Sequence, residues 1–204
     1  MESDLGGVLT ALARAAVESS FTPRPPLASE LIAAAAPEEL RPRLAEPAAT
    51  FVTLERDSRL RGCIGALAAS RPLGVDVVRN ARLATRDPRL PAVTSEELPD
   101  LTVTVAVLSP SRALAVDSFG GLIDALRPGT DGLTLSGRDQ RRRATFLPSV
   151  WHALREPERF VAALLRKGGW PRALWAADLR RAVWPDDLAA ERYTAESFSA
   201  RWAG

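Results

Sequence analysis

Few residues in this 204-residue chain could do chemistry, and three of them occur once: Cys63, His152 and Lys167. Cys63 stands in the hexapeptide Leu60-Arg61-Gly62-Cys63-Ile64-Gly65. The apolar run Phe51-Val52-Thr53-Leu54 and the charged stretch Glu55-Arg56-Asp57-Ser58-Arg59 lead into it. A thiol becomes a nucleophile as thiolate, and a neighbouring cation favours that form. Arg61 lies two positions before Cys63, which on a regular strand puts both side chains on one face. Gly65 shares that face and would leave open space beside the sulfur. Three readings of Cys63 stand together: a nucleophile, a thiol lining a binding cleft, and an inert side chain, since cysteine is among the most buried residue types.

Asp87 and Arg89 form a second polar focus. They read either as a salt bridge in an Asp-Pro-Arg turn or as an electrostatic partner for the Arg61–Cys63 face. A Cys63–His152 dyad would require the two residues to meet across the fold, and no third group is evident to orient the histidine. One Cys and one His would need carboxylates to complete a zinc site, so no metal is expected. Lys167, near a helix end, reads as a surface lysine or, alternatively, as an amine tuned for chemistry. Phosphate-loop, dinucleotide and nucleophile-elbow signatures are absent.

Composition narrows the classes further. Twenty-seven basic residues face 25 acidic ones, giving a net charge of +2. All but one of the basic residues are arginine, so the pI of 9.3 reflects high-titrating groups rather than excess charge. Near-balance argues against a nucleic-acid partner. A lone cysteine forbids an intramolecular disulfide and fits a reducing compartment. The acidic start Met1-Glu2-Ser3-Asp4 does not read as a signal peptide. No apolar run approaches the ~20 residues of a membrane helix. A cytoplasmic protein is expected, and the length suits one domain over 1–204, with room for a smaller subdomain of unassigned boundaries.

The elements that must position these residues follow from periodicity. Leu5, Val8, Leu9, Leu12 and Ala16 predict an amphipathic helix over 3–19, with Ser3 or Asp4 as its cap. A short alanine-rich helix is expected over 29–36, then a loop of turns through Pro37, Pro42 and Pro47. Residues 51–54 and 60–67 predict paired strands, with Gly62 and Gly65 marking a bulge or close backbone approach. Ser70-Arg71-Pro72 reads as a capped helix start. The helix after it carries Leu73, Val77, Ala81 and Ala84 on one face and a solvated ridge of Arg79, Arg82 and Arg86 on the other. Thr94 to Glu97 matches a capping box. Strict alternation over 101–109 predicts a strand with one dry face, more typical of an antiparallel sheet. A short helix over 119–127, a turn at Asp131-Gly132 and strands over 133–136 and 144–147 come next. Residues 137–140 would join those strands, and arginines 141–143 would begin the returning one. A helix over 157–167 is stopped by Gly168-Gly169. All five tryptophans fall in the last third and read as core rather than as a ligand groove.

These residues resemble the AMMECR domain family, known also as protein A of AmmeMemoRadiSam systems. The likeness rests first on 51–54 and the 60–65 hexapeptide. It continues through Ala81, Ala84, Asp87-Pro88-Arg89-Leu90-Pro91 and Glu97-Leu98, then Val107-Leu108-Ser109 and Gly129-Thr130-Asp131-Gly132-Leu133. Phe146-Leu147-Pro148-Ser149-Val150 and Leu165-Arg166-Lys167-Gly168-Gly169 complete it. Leu90 replaces a usual phenylalanine, and Phe146 a leucine or tyrosine. Trp151-His152-Ala153 departs from the family's stretch there, which weakens a role for His152.

The resemblance implies an α+β fold, with a mainly antiparallel sheet flanked by helices and a smaller subdomain packed beside the larger one. It also implies association with a Memo-like protein and a radical SAM protein. One cysteine cannot hold an iron–sulfur cluster, so no cofactor is expected. The leading expectation is binding of a small molecule or partner protein in a cleft lined by 60–65. Arg61, Gly62, Gly65, Asp87, Arg89 and Lys167 would line it, with Cys63 at its floor. The alternatives are a thiol enzyme using Cys63, with Arg61 and Lys167 tuning charge, and a nucleic-acid binder using the arginine ridge.

Overall fold

In the computed structural model, which describes residues 4–137, 142–175 and 178–202, the chain divides into two units. One runs to Leu108 and resumes at Glu196; the other spans Ser109–Ala195.

Helix α1 (Leu5–Ser19) starts where Asp4 accepts hydrogen bonds from the Gly6 and Gly7 amides at 3.0 and 3.2 Å. Those bonds satisfy two amides that a helix start otherwise leaves unpaired. Helix α2 (Ala28–Ala35) follows. The expected proline loop is instead a 3-10 turn, Glu38–Leu40, and a short helix α3 (Arg41–Ala45). Pro42 sits in the first turn of α3, where its missing N–H costs nothing, and Pro47 opens a strand. That strand, β1 (Pro47–Arg56), pairs antiparallel with β2 (Arg59–Gly65).

The Ser70 cap does not form. Arg71 and Pro72 make a two-residue strand, β3, against the start of β1, and α4 (Leu73–Ala84) begins directly after it. The Leu73 amide donates to Glu46 O at 2.8 Å, so tertiary pairing fixes the helix start in place of a local cap. A 3-10 segment (Ser95–Asp100) leads into β4 (Leu101–Leu108), antiparallel to β1. Leu101, Val103 and Val105 are buried together with Val52 and Leu54, on the face that packs with α1 and α4.

In the second unit β5 (Arg112–Ala113), α5 (Phe119–Ala125), β6 (Gly132–Gly137), β7 (Arg143–Phe146), α6 (Pro157–Lys167) and β8 (Leu188–Tyr193) follow in order. The sheet runs β5-β8-β6-β7, with antiparallel pairings. The turn before β6 is Arg127 to Asp131, earlier than the sequence suggested. Gly129 holds φ +78° there, and Asp131 is buried as the acceptor for the Arg127 amide and guanidinium. The expected link between β6 and β7 over 137–140, and Arg141 of the arginine triplet, lie largely outside the described residues. Gly169, at φ +73°, closes α6 as predicted, with the Trp170 amide reaching back to Leu165 O. Trp151 stacks on Phe160 at 3.9 Å in the core, whereas Trp202 belongs to the first unit and donates to Glu18. The last strand, β9 (Ala195–Arg201), lies along β4, giving the order β2-β1-β4-β9. No described helix is long and apolar enough to cross a membrane.

Candidate functional site

The β1–β2 turn places Asp57 and Ser58 at φ +50° and +61°. Two left-handed residues in succession match the hairpin turn whose twist suits the flanking strands. The register then pairs Thr53 with Cys63 and Leu54 with Gly62, but Glu55 with Leu60. Arg61 is therefore the extra residue of a β-bulge. The regular alternation that would set Arg61 and Cys63 on one face is broken there.

Arg61 turns to Glu97. Its Nε and Nη2 donate to the two carboxylate oxygens at 2.7 and 3.0 Å, and both side chains are mostly buried. The Thr94 amide also donates to Glu97, at 2.8 Å, as the capping-box spacing anticipated. Arg61 pulls the Glu97 carboxyl down to about 2, against the opposing effect of burial. The stabilisation from this pair is complete above the ordinary glutamate value of about 4.3. It is lost as pH falls through about 2, because the unfolded chain takes up the proton first. The stability difference between wild type and Glu97→Gln is expected to shrink steadily from pH 5 to pH 2.5 in urea titrations. A constant difference would show that the pair's charge is not its contribution.

The basic group at Cys63 is Arg89. The Cys63 amide donates to Asp87 Oδ2 at 3.0 Å, and Arg89 Nη2 donates to Cys63 O at 2.9 Å. Arg89 also donates to Asp87 through its amide, Nε and Nη2, at 3.1, 2.9 and 2.6 Å. The Asp87 side chain is fully buried, and the guanidinium beside it holds its carboxyl well below the usual carboxylate range. β2 is an edge strand of the sheet. The Asp-Pro-Arg turn satisfies its backbone there with side-chain groups, much as another strand would.

Cys63 is half-buried, and its sulfur accepts a hydrogen bond from Thr53 Oγ1 at 3.2 Å. No base hydrogen-bonds to it among the described residues. Thr53 lies beside Thr104, which shares a hydrogen bond with Ser199 at 2.8 Å, so small polar groups run across four strands. The open space expected beside Gly65 is filled: a Cβ there would meet the Phe51 ring at 2.3 Å and Thr50 O at 2.4 Å. Gly62 is buried against the end of α4, where an added Cβ would lie 1.9 Å from Ala84 O.

One buried polar cluster escaped the sequence reading. Asp76 accepts from the Thr50 amide and hydroxyl at 3.1 and 2.7 Å, and Asn80 donates to Asp76, Thr50 O and Thr50 Oγ1. The signal was available: Asp76 and Asn80 stand four apart among the apolar residues of α4, on one helix face. Thr50 O also accepts from Ala66, so this cluster anchors the far end of the hexapeptide strand.

Lys167 and His152 belong to the other unit. Lys167 donates to Thr145 O at 2.9 Å and lies over the Phe146 ring, while His152 is exposed at the end of the 3-10 turn Pro148–His152. Among the described residues no group of three or more His, Cys, Asp or Glu side chains could hold a metal ion.

Fold and site together define an α+β protein with antiparallel sheets and a lone thiol on a strand whose edge is capped by an Asp-Pro-Arg turn. The chain belongs to the AMMECR1 family, whose pattern it matches over residues 10–198. A protein of Methanothermobacter thermautotrophicus is 34% identical over 178 residues, covering 84% of this chain and 85% of its own. A protein of Thermotoga maritima is 34% identical over 166 residues, covering 79% of this chain and 82% of its own. The crystal structure of the uncharacterised protein PH0010 from Pyrococcus horikoshii superposes with a TM-score of 0.79 at 29% identity, over 97% of this chain and 92% of that one.

Proposed function

We propose that this chain is a binding domain whose recognition wall is formed by residues 60–65 and the Asp87–Arg89 turn. The supporting observation is Arg89. Its guanidinium is fixed by both Asp87 oxygens and by Cys63 O, yet its side chain is 65% exposed. Its Nη1 has no partner among the described residues. A guanidinium already held in place gives up little freedom when it binds a planar acceptor. Asp87 and Glu97 offset the charges of Arg89 and Arg61, so hydrogen-bond geometry selects the ligand more than net charge does. A small molecule or a partner-protein segment presenting a carbonyl or carboxylate oxygen fits, with Cys63 and Thr53 at the floor. The family resemblance points to a cytoplasmic pathway shared with Memo-like and radical SAM proteins as the source of that partner.

The test is capture from native lysate by wild type and Arg89→Ala, with bound proteins and retained metabolites both identified. The variant is expected to lose at least nine-tenths of a component that wild type retains, with its melting curve confirming the fold. Equal retention by the two proteins would remove Arg89, and with it this site.

A further inference from the structure

A groove whose lining includes none of residues 60–65 lies in the same unit. α4 and the start of α2 border a groove of about 360 Å³ lined by Ala28, Val75, Val78, Arg79, Arg82 and Leu83. Four of these side chains are apolar, two are cationic, and no carboxylate lines the groove among the described residues. Arg79 and Arg82, two of the three arginines read from the sequence as a solvated ridge, thus line a largely apolar groove.

The two arginines are held differently. Arg82 donates through Nε and Nη2 to Ser19 Oγ, at 3.2 and 3.0 Å, and through Nη2 to Pro26 O at 2.6 Å. Its Nη1 has no partner among the described residues. Arg79 is exposed and donates only through Nη1, to Asn80 Oδ1 at 3.1 Å, leaving Nε and Nη2 unengaged among the described residues. Three residues apart on α4, the two arginines leave neighbouring positions on the helix surface, and both line the groove. Arginine presents paired N–H groups that match a carboxylate. The volume falls in the range of small-molecule clefts, ~300–1,000 Å³.

We propose that this groove binds a small amphipathic anion: a carboxylate with an unbranched apolar tail. The tail lies along Val75, Val78, Leu83 and Ala28, and the carboxylate takes the free N–H groups of Arg79 and Arg82. The site is independent of the Arg89 wall.

Amide-resolved NMR titration of the full chain with decanoate, below its micelle concentration, tests this. Saturable shifts at Ala28 and along 75–83 are expected. Acetate, which lacks the tail, and decylammonium, which reverses the head charge, are each expected to bind at least tenfold more weakly. Arg79→Glu, at an exposed position, is expected to weaken decanoate at least tenfold. The proposal is overturned if no saturable shift occurs, if the shifts map elsewhere, if decylammonium binds as tightly as decanoate, or if Arg79→Glu binds like wild type.

Discussion

Gly62→Ala is expected to lower the thermal midpoint of the first unit by roughly 10 °C. Its Cβ would sit 1.9 Å from Ala84 O and 2.9 Å from Ala84 C. Both are backbone atoms at the end of α4, so no side-chain rotation relieves the clash. The strand must leave the helix, or the helix end must shift on the sheet. Overpacking of this kind costs ~1–3 kcal/mol and sometimes more, and a backbone obstacle places it at the upper end. For chains of this length each kcal/mol moves the midpoint by ~2–4 °C. Gly7→Ala is the matched control. Its nearest contact is the ordinary 3.4 Å to Asp4 Oδ2, and it lies within α1, where alanine is favoured by up to ~1 kcal/mol. A neutral or stabilising Gly7→Ala beside an equally neutral Gly62→Ala would show that the helix–strand contact gives way freely. The result bears on function as well, because Gly62 sets how closely Cys63 and the turn after α4 approach each other.

Asp87→Ala is expected to destabilise by about 3 kcal/mol at neutral pH. The substitution strips the acceptor from the Cys63 amide and from the Arg89 amide and guanidinium. Breaking a buried pair costs ~3–5 kcal/mol. The exposed Arg89 recovers part of that by turning to water, whereas the Cys63 amide on the edge strand loses its partner outright. The sign with pH follows from the depressed Asp87 carboxyl. Its contribution is complete above the ordinary aspartate value of about 3.9. It disappears as pH falls toward the folded value, since over that range the unfolded chain binds the proton and the folded one does not. The gap between wild type and Asp87→Ala in urea titrations should therefore narrow from pH 7 through pH 4 to pH 3. A gap that stays constant with pH would mean that Asp87 acts through packing alone. The freed edge of β2 is also expected to make the variant's association concentration-dependent, because an uncapped strand edge is a template for pairing.

Much of this architecture was written locally. The alternation of 101–109 required a strand with one buried face, and Leu101, Val103 and Val105 are buried as that period demands. The spacing of Phe160, Val161, Leu164 and Leu165, with glycines behind them, sufficed for α6. The apolar run, charged turn and glycine-punctuated run were enough for the β1–β2 hairpin and for placing Cys63 within it. These features depend on side-chain period and backbone preference over a few residues, and a sequence displays both directly. Tertiary structure alone decided the partners. One inserted residue at the bulge turned Arg61 from Cys63 to Glu97, and a strand period cannot register an insertion whose position is set by the opposing strand. Asp87 and Arg89 reached the Cys63 backbone because the chain turns at the end of α4, beside an edge that needed hydrogen bonds. Gly65 read as space and proved to be contact, since its neighbour Phe51 comes from the adjoining strand. The hexapeptide announced itself in the sequence; which of its groups remain available to a ligand was settled by residues brought to it from elsewhere in the chain.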